Sequence, residues 1–160
     1  MKKLFVFCSL VLLFVSCNKP SVDTACQYTT STFVAPTSEI TSLQNYITAS
    51  HPAAIQHSSG LFYEIINPGS GTAVPEVCSA VTVKYTGTLT NGTMFDQNTT
   101  GVSFTLGQLI LGWQKGIPLI KKGGSINLYL PPSLGYGSAT VGSIPANSIL
   151  VFTIQLLDVQ

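Results

Sequence analysis

The segment VTVKYTGTLTNGTMFD, residues 81–96, decides how the rest of the chain is read. Val81, Val83 and Tyr85 alternate with Thr82, Lys84 and Thr86, the period of two that puts one set of side chains on each face of a β-strand. Asn91-Gly92 then interrupts the run. Asn-Gly between strand-like segments is the strongest short hairpin signal, because both residues tolerate positive φ in a type I′ turn. The expectation is an antiparallel return over residues 93–95, with Asp96 at its exit. Asp96 is also the only acidic residue between Glu76 and Asp158, so its place beside Phe95 calls for a reason.

Outward from the hairpin the signals stay β. LFYEII (61–66) reads as a strand ending in the loop NPGSG, and VSFTL (102–106), INLYL (126–130) and ILVFTIQLLDV (149–159) read as further strands. One short helix is expected around Trp113 to Ile120, stopped by Lys121-Lys122 and then Gly123-Gly124. PSLGYGSATVGSIPANS (132–148) reads as a long loop. Together these predict an α+β domain over residues 60–160, an antiparallel sheet with one short helix laid across it. Before it, residues 18–36 are rich in Ser, Thr and Pro and read as a tether. TSEITSLQNYITA (37–49) suits a short helix with Thr37 or Ser38 as cap and Glu39 in the first turn. Its Ile40, Leu43 and Ile47 share one face, a packing pattern rather than a binding site.

Charged residues make up only 8% of the chain, arginine is absent and the net charge is +1, so no basic footprint for nucleic acid exists. The start, MKKLFVFCSLVLLFVSCNKP, places two lysines before an apolar run too short to span a bilayer. It reads as a secretory signal over residues 1–16. FVSC (14–17) resembles a bacterial lipobox, although Phe14 departs from the usual Leu, so Cys17 is the expected lipidation site; the alternative is a plain cleaved signal in which Cys17 is incidental. Residues 17–59 would then be a lipid-anchored tether. Cys26 and Cys78 remain for an oxidising compartment and read as a disulfide, or else as two buried free thiols. Neither histidine has ligand spacing to them, and no metal site is expected.

Hydrolytic chemistry finds little support. There is no G-x-S-x-G elbow or H-E-x-x-H helix, GSG (69–71) and GYG (135–137) precede no helical pattern, and Asp96 has no second acid to work with. What residues 60–160 do hold is a set of aromatics beside loops: Tyr85, Phe95, Phe104, Trp113, Tyr136 and Phe152. Singly each suits a core; as a set, with Tyr hydroxyls and one acid, they describe an apolar pocket with a few polar handles for a neutral ligand.

The order VKYTG (83–87), NGTMFD (91–96), FTLG (104–107), LILGW (109–113), LPPSLGYG (130–137), IP (144–145) and LVFTIQLLDV (150–159) resembles the FKBP-type peptidyl-prolyl cis–trans isomerases, in a bacterial lipoprotein form. The resemblance covers about residues 60–160. It implies a twisted antiparallel sheet wrapped around one short α-helix, and rotation of X-Pro bonds without metal or cofactor. By position it implies Trp113 as pocket floor, and Tyr85, Phe95 and Phe152 as walls. Leu109 and Ile110 would stand at the rim, Ile144 would contact substrate, and the Ile110 N–H and Tyr136 hydroxyl would bond substrate carbonyls. Asp96 would lie beside the twisting amide, near the Tyr85 hydroxyl. Tyr85, Phe95, Asp96, Tyr136 and Phe152 are thus the implied catalytic set. Val102, Leu109, Ile110, Trp113 and Ile144 are the implied substrate-binding set. Val102 stands where many members carry an aromatic, and loop 97–101 lacks an arginine to partner Asp96. The implied partners are proline-containing unfolded or nascent exported polypeptides, with rapamycin-type macrolides as an inhibitor class. The membrane would be met only through the lipid anchor, in the cell envelope. The alternative is a non-catalytic module that holds proline segments or acts as a chaperone.

Overall fold

The hairpin that anchors the sequence reading is present, but its turn is built differently. In a computed structural model, which describes residues 26–160, the Leu89 carbonyl accepts the Gly92 N–H and the Leu89 N–H bonds the Thr93 carbonyl, both at 2.9 Å. Only Gly92 has positive φ (+83°); Asn91 does not. The loop is therefore three residues long, Thr90 to Gly92, a turn closed by a left-handed glycine rather than the expected type I′ pair. Asn91 contributes through its side chain instead, its Oδ1 accepting the Thr93 N–H at 2.9 Å.

Besides three short 3₁₀ turns, the described residues form eight helices and strands: α1 (Thr37–Ser50), β1 (Ile55–Gln56), β2 (Phe62–Asn67), β3 (Ala80–Leu89), β4 (Met94–Thr105), α2 (Leu111–Gly116), β5 (Ser125–Leu130) and β6 (Leu150–Val159). The strands form one six-stranded sheet in the order β1-β2-β5-β6-β3-β4, with every pairing antiparallel. The two strands expected over 93–95 and 102–106 are instead one, β4, which runs unbroken from Met94 to Thr105. Asp96 sits inside it, paired with Gly87, not at an exit. The expected loop 97–101 is a bulge: Tyr85 pairs with Asn98 and Val83 with Val102. The Asn98 side chain fills the gap in the ladder by accepting the N–H groups of Thr100 (3.1 Å) and Gly101 (2.7 Å).

One sheet face carries the main core, in which Val81, Val83, Ile126, Leu128, Leu130, Ile154 and Leu156 are buried against α2 and its flanks. Two glycines let α2 come close. A Cβ on Gly116 would lie 2.5 Å from Leu128 Cδ1, and one on Gly112 would overlap Leu130. Trp113, between them in sequence, is pressed onto the core and is 4% exposed.

The opposite face is not bare. Leu43 and Ile47 of α1 bury against Phe62 and Tyr129. β1, also within the expected tether, pairs with β2. The sheet-packed unit therefore begins before residue 60. Pro36 precedes the first helical residue and no side chain caps α1, so the expected Thr37 or Ser38 cap does not form. Cys26 and Cys78 are joined as a disulfide with Cα atoms 5.7 Å apart, which ties the segment before α1 to the approach to β3. The signal over 1–16 and Cys17 lie outside the described residues.

Candidate active site

Between α2, the bulged half of the sheet and the 132–148 loop lies a cavity of about 410 Å³. β3 supplies Tyr85, β4 supplies Phe95, Asp96 and Phe104, and β6 supplies Phe152. Leu109 and Ile110 lead into α2, which supplies Trp113; the long loop adds Tyr136 and Val141 to Ile144. The ring geometry gives the cavity its shape. Tyr85, Phe152 and Phe104 stand nearly perpendicular to the Trp113 indole, at 81°, 87° and 82°, with centroids 5.1, 5.3 and 6.3 Å away. The indole is thus a floor and the other rings rise beside it, the edge-to-face arrangement that aromatic quadrupoles favour. Phe95 meets Phe152 in the same way at 5.5 Å.

Gly87 makes room for that corner. A Cβ there would be 2.5 Å from Phe95 Cε2 and 2.9 Å from Phe152 Cε1. The rim loop folds back through paired Val141 and Ile144 amides (3.0 and 2.9 Å) over a left-handed Gly142. This leaves Ile144 buried at 5% exposure and Val141 exposed at 41%.

Two polar groups meet inside this apolar frame. The Tyr85 hydroxyl donates a 2.6 Å hydrogen bond to Asp96 Oδ2. Burial first, then the hydrogen bond and negative charge of Asp96, and lastly Tyr136, push the Tyr85 hydroxyl up to about 12. Tyr85 is therefore a neutral donor throughout the physiological range. No Lys or His lines the cavity, and among the described residues Asp96 has no salt bridge. The carboxylate with no arginine to meet it is held by Tyr85. The backbone N–H of Ile110 is a free donor, which makes no hydrogen bond among the described residues. Among those residues no group of three or more His, Cys, Asp or Glu side chains forms.

Nine of the ten implied catalytic and substrate-binding residues line this one cavity; Val102 does not. The bulge sets Val102 opposite Val83, where its short side chain packs on the core, and Phe104 two residues on reaches the cavity instead. Sequence reasoning missed Val141, Gly142 and Ser143. The available signal was a glycine-centred tip between two β-branched apolar residues, which is the pattern of a tight turn.

An antiparallel sheet with a short helix packed against one face and an aromatic basket between them defines a binding fold of the FKBP class. The chain belongs to the FKBP-type peptidyl-prolyl cis-trans isomerase family, whose model matches residues 71–157. The FKBP-type peptidyl-prolyl cis-trans isomerase FkpA of Escherichia coli K12 is 47% identical over 106 residues, 64% of this chain and 39% of that protein. FkpA of Buchnera aphidicola from Schizaphis graminum is 48% identical over 106 residues, 64% of this chain and 42% of that protein. The chain thus spans about two fifths of the length of the curated relatives it matches. The crystal structure of E. coli FkpA superposes with a TM-score of 0.69 at 41% identity, covering 77% of this chain and 60% of that one. A peptidyl-prolyl cis-trans isomerase structure from Pseudomonas syringae gives 0.68 at 28% identity, covering 79% of this chain and 97% of that one.

Proposed function

We propose that the chain catalyses cis–trans rotation of X-Pro bonds in exported polypeptides. The observation that carries this reading is the Trp113-floored aromatic cavity with a single hydrogen-bonded acid and no nucleophile–base pair. Rotating a peptide bond costs about 18–20 kcal/mol because amide resonance must be lost. X-Pro bonds populate both isomers yet interconvert over tens to hundreds of seconds. The planar amide is the more dipolar state and the twisted one the less. A dry aromatic cavity that strips water from the amide therefore disfavours the ground state more than the transition state.

In this reading the proline ring rests on Trp113, between Tyr85, Phe95 and Phe152. The Ile110 N–H and the Tyr136 hydroxyl take the flanking carbonyls and fix the peptide while the bond between them turns. Leu109 and Ile144 hold its apolar neighbours. Asp96, aimed by Tyr85, is the polar group beside the turning amide. The same cavity suits the apolar ring of a rapamycin-type macrolide. The apolar start with FVSC at 14–17 and the Cys26–Cys78 pair support export with Cys17 as lipid anchor at an envelope membrane.

The test is the rate of cis-to-trans conversion of an X-Pro peptide with the purified chain. Acceleration that Phe95→Ala and Asp96→Leu both reduce supports the assignment. Peptide binding without acceleration points to a holding module instead. Mass spectrometry of the membrane fraction reads lipid on Cys17.

A further inference from the structure

Glu39 lies in the first turn of α1, before the stretch that the family model matches. Its Oε2 nevertheless accepts a 2.8 Å hydrogen bond from the backbone N–H of Ser133, 94 residues away. Ser133 belongs to the 3₁₀ turn Pro132–Leu134, three residues before Tyr136. The other bonded amides of this segment find acceptors within it. Leu134 N–H bonds the Pro131 carbonyl at 3.0 Å, and the Pro132 carbonyl accepts both Gly135 (2.9 Å) and Gly137 (2.8 Å). Ser133 alone among them is held from another element.

Three further observations give that bond its consequence. The Tyr136 hydroxyl makes no hydrogen bond among the described residues, so its place at the cavity depends on the backbone that carries it. The Ser133 hydroxyl is buried and without a partner among the described residues, which marks the neighbourhood as one where water does not readily replace a lost acceptor. And Glu39 is mounted on a firm base, since Leu43 and Ile47 are buried one and two turns further along the same helix.

We infer that Glu39 is a positioning residue, through which α1 fixes the 131–137 segment and hence Tyr136 over the cavity. This rests on the isomerase reading for its activity readout, but not for its binding readout. The experiment uses the full chain with Glu39→Ala, which removes the acceptor, and Glu39→Gln, which keeps an acceptor oxygen without the charge. Each is made alone and in a Tyr136→Phe background, with folding checked by circular dichroism. Affinity for an X-Pro peptide is read from the emission of Trp113, the only tryptophan in the chain, and KM and kcat from the isomerisation assay. Glu39→Ala is expected to weaken peptide affinity and raise KM by about three- to tenfold with kcat little changed, the scale of one lost hydrogen bond. Glu39→Gln is expected within about twofold of the parent. In the Tyr136→Phe background the Glu39→Ala loss disappears. A Glu39→Gln variant as impaired as Glu39→Ala overturns the inference, as does a full Glu39→Ala loss in the Tyr136→Phe background. A chain that binds peptide without isomerising it refutes the catalytic reading alone, and the affinity series still decides the role of Glu39.

Discussion

The proposed isomerase reading makes the hydrogen-bonded Tyr85 and Asp96 one unit, and a double-mutant cycle tests it. Tyr85→Phe removes the donor of the 2.6 Å hydrogen bond and keeps the ring that stands on Trp113. Asp96→Asn keeps the shape and removes the charge. A hydrogen bond to a charged acceptor is worth about 1.5–3 kcal/mol when water cannot replace it. Asp96 is exposed and Tyr85 half-buried, so water partly compensates and the coupling should fall to about 1 kcal/mol, or about fivefold in kcat/KM. Tyr85→Phe should therefore lower kcat/KM about fivefold, because the carboxylate is free to turn away from the amide. Asp96→Asn should cost more, since the charge itself goes, and the double variant should be no worse than Asp96→Asn. The assay is cis-to-trans conversion of one X-Pro peptide by all four proteins, with urea unfolding of each to remove stability differences. Losses that simply multiply in the double variant would refute the pairing. Unchanged rates in both single variants would put the reacting amide elsewhere.

Three other perturbations address the frame around that pair. Gly87→Ala drives a methyl into Phe95 and Phe152; stability should drop by about 1–3 kcal/mol and peptide binding should fall with it, read by urea unfolding and Trp113 emission. Leu43→Ala empties a fully buried position on α1 and should cost about 2–5 kcal/mol in one cooperative transition, whereas a separate early transition would mean that α1 is only a tether. Tyr85 ionises near 10 when unfolded and at about 12 when folded. Its raised value favours the folded state fully below pH 10, and that contribution is lost as pH rises from 10 towards 12. Alkaline unfolding of the parent should steepen across that window more than in Tyr85→Phe.

The parts of the fold legible in the sequence are those written locally. Alternation over residues 81–89 and the Asn91-Gly92 punctuation each act within a few residues, and strand and hairpin appear where they point; the helix expected around Trp113 to Ile120 instead runs Leu111–Gly116 and passes into a 3₁₀ turn, Ile117–Leu119, before the Lys-Lys-Gly-Gly stop. The turn type was not legible, because Asn-Gly serves both a two-residue I′ loop and a three-residue loop closed by glycine alone. The choice depends on strand twist and the neighbouring register, which shifts between Gly87 and Thr88. The continuity of β4 was hidden for a similar reason. QNTTG has loop composition, yet Asn98 supplies from its side chain the acceptor that the ladder lacks there.

The cavity divides in the same way. Its aromatics could be named because a large ring next to a strand end has few uses, and because the family order fixes which ring stands where. Val102 stands outside the cavity lining because position in a motif carries no register: the bulge at 99–101 sets it opposite Val83, and Phe104 lines the cavity. Glu39 gave no signal beyond a favourable charge in a first turn, and neither local pattern nor family order connects it to Ser133. That contact depends on the packing of α1, whose Leu43 and Ile47 meet Phe62 and Tyr129 while Ile40 in its first turn also touches the main core. The residues that build the site are therefore local to residues 81–152, while the hydrogen bond proposed to steady Tyr136 is a property of the packed whole. Substitutions in α1 should accordingly reach the site through affinity, in a helix that contributes no side chain to the cavity.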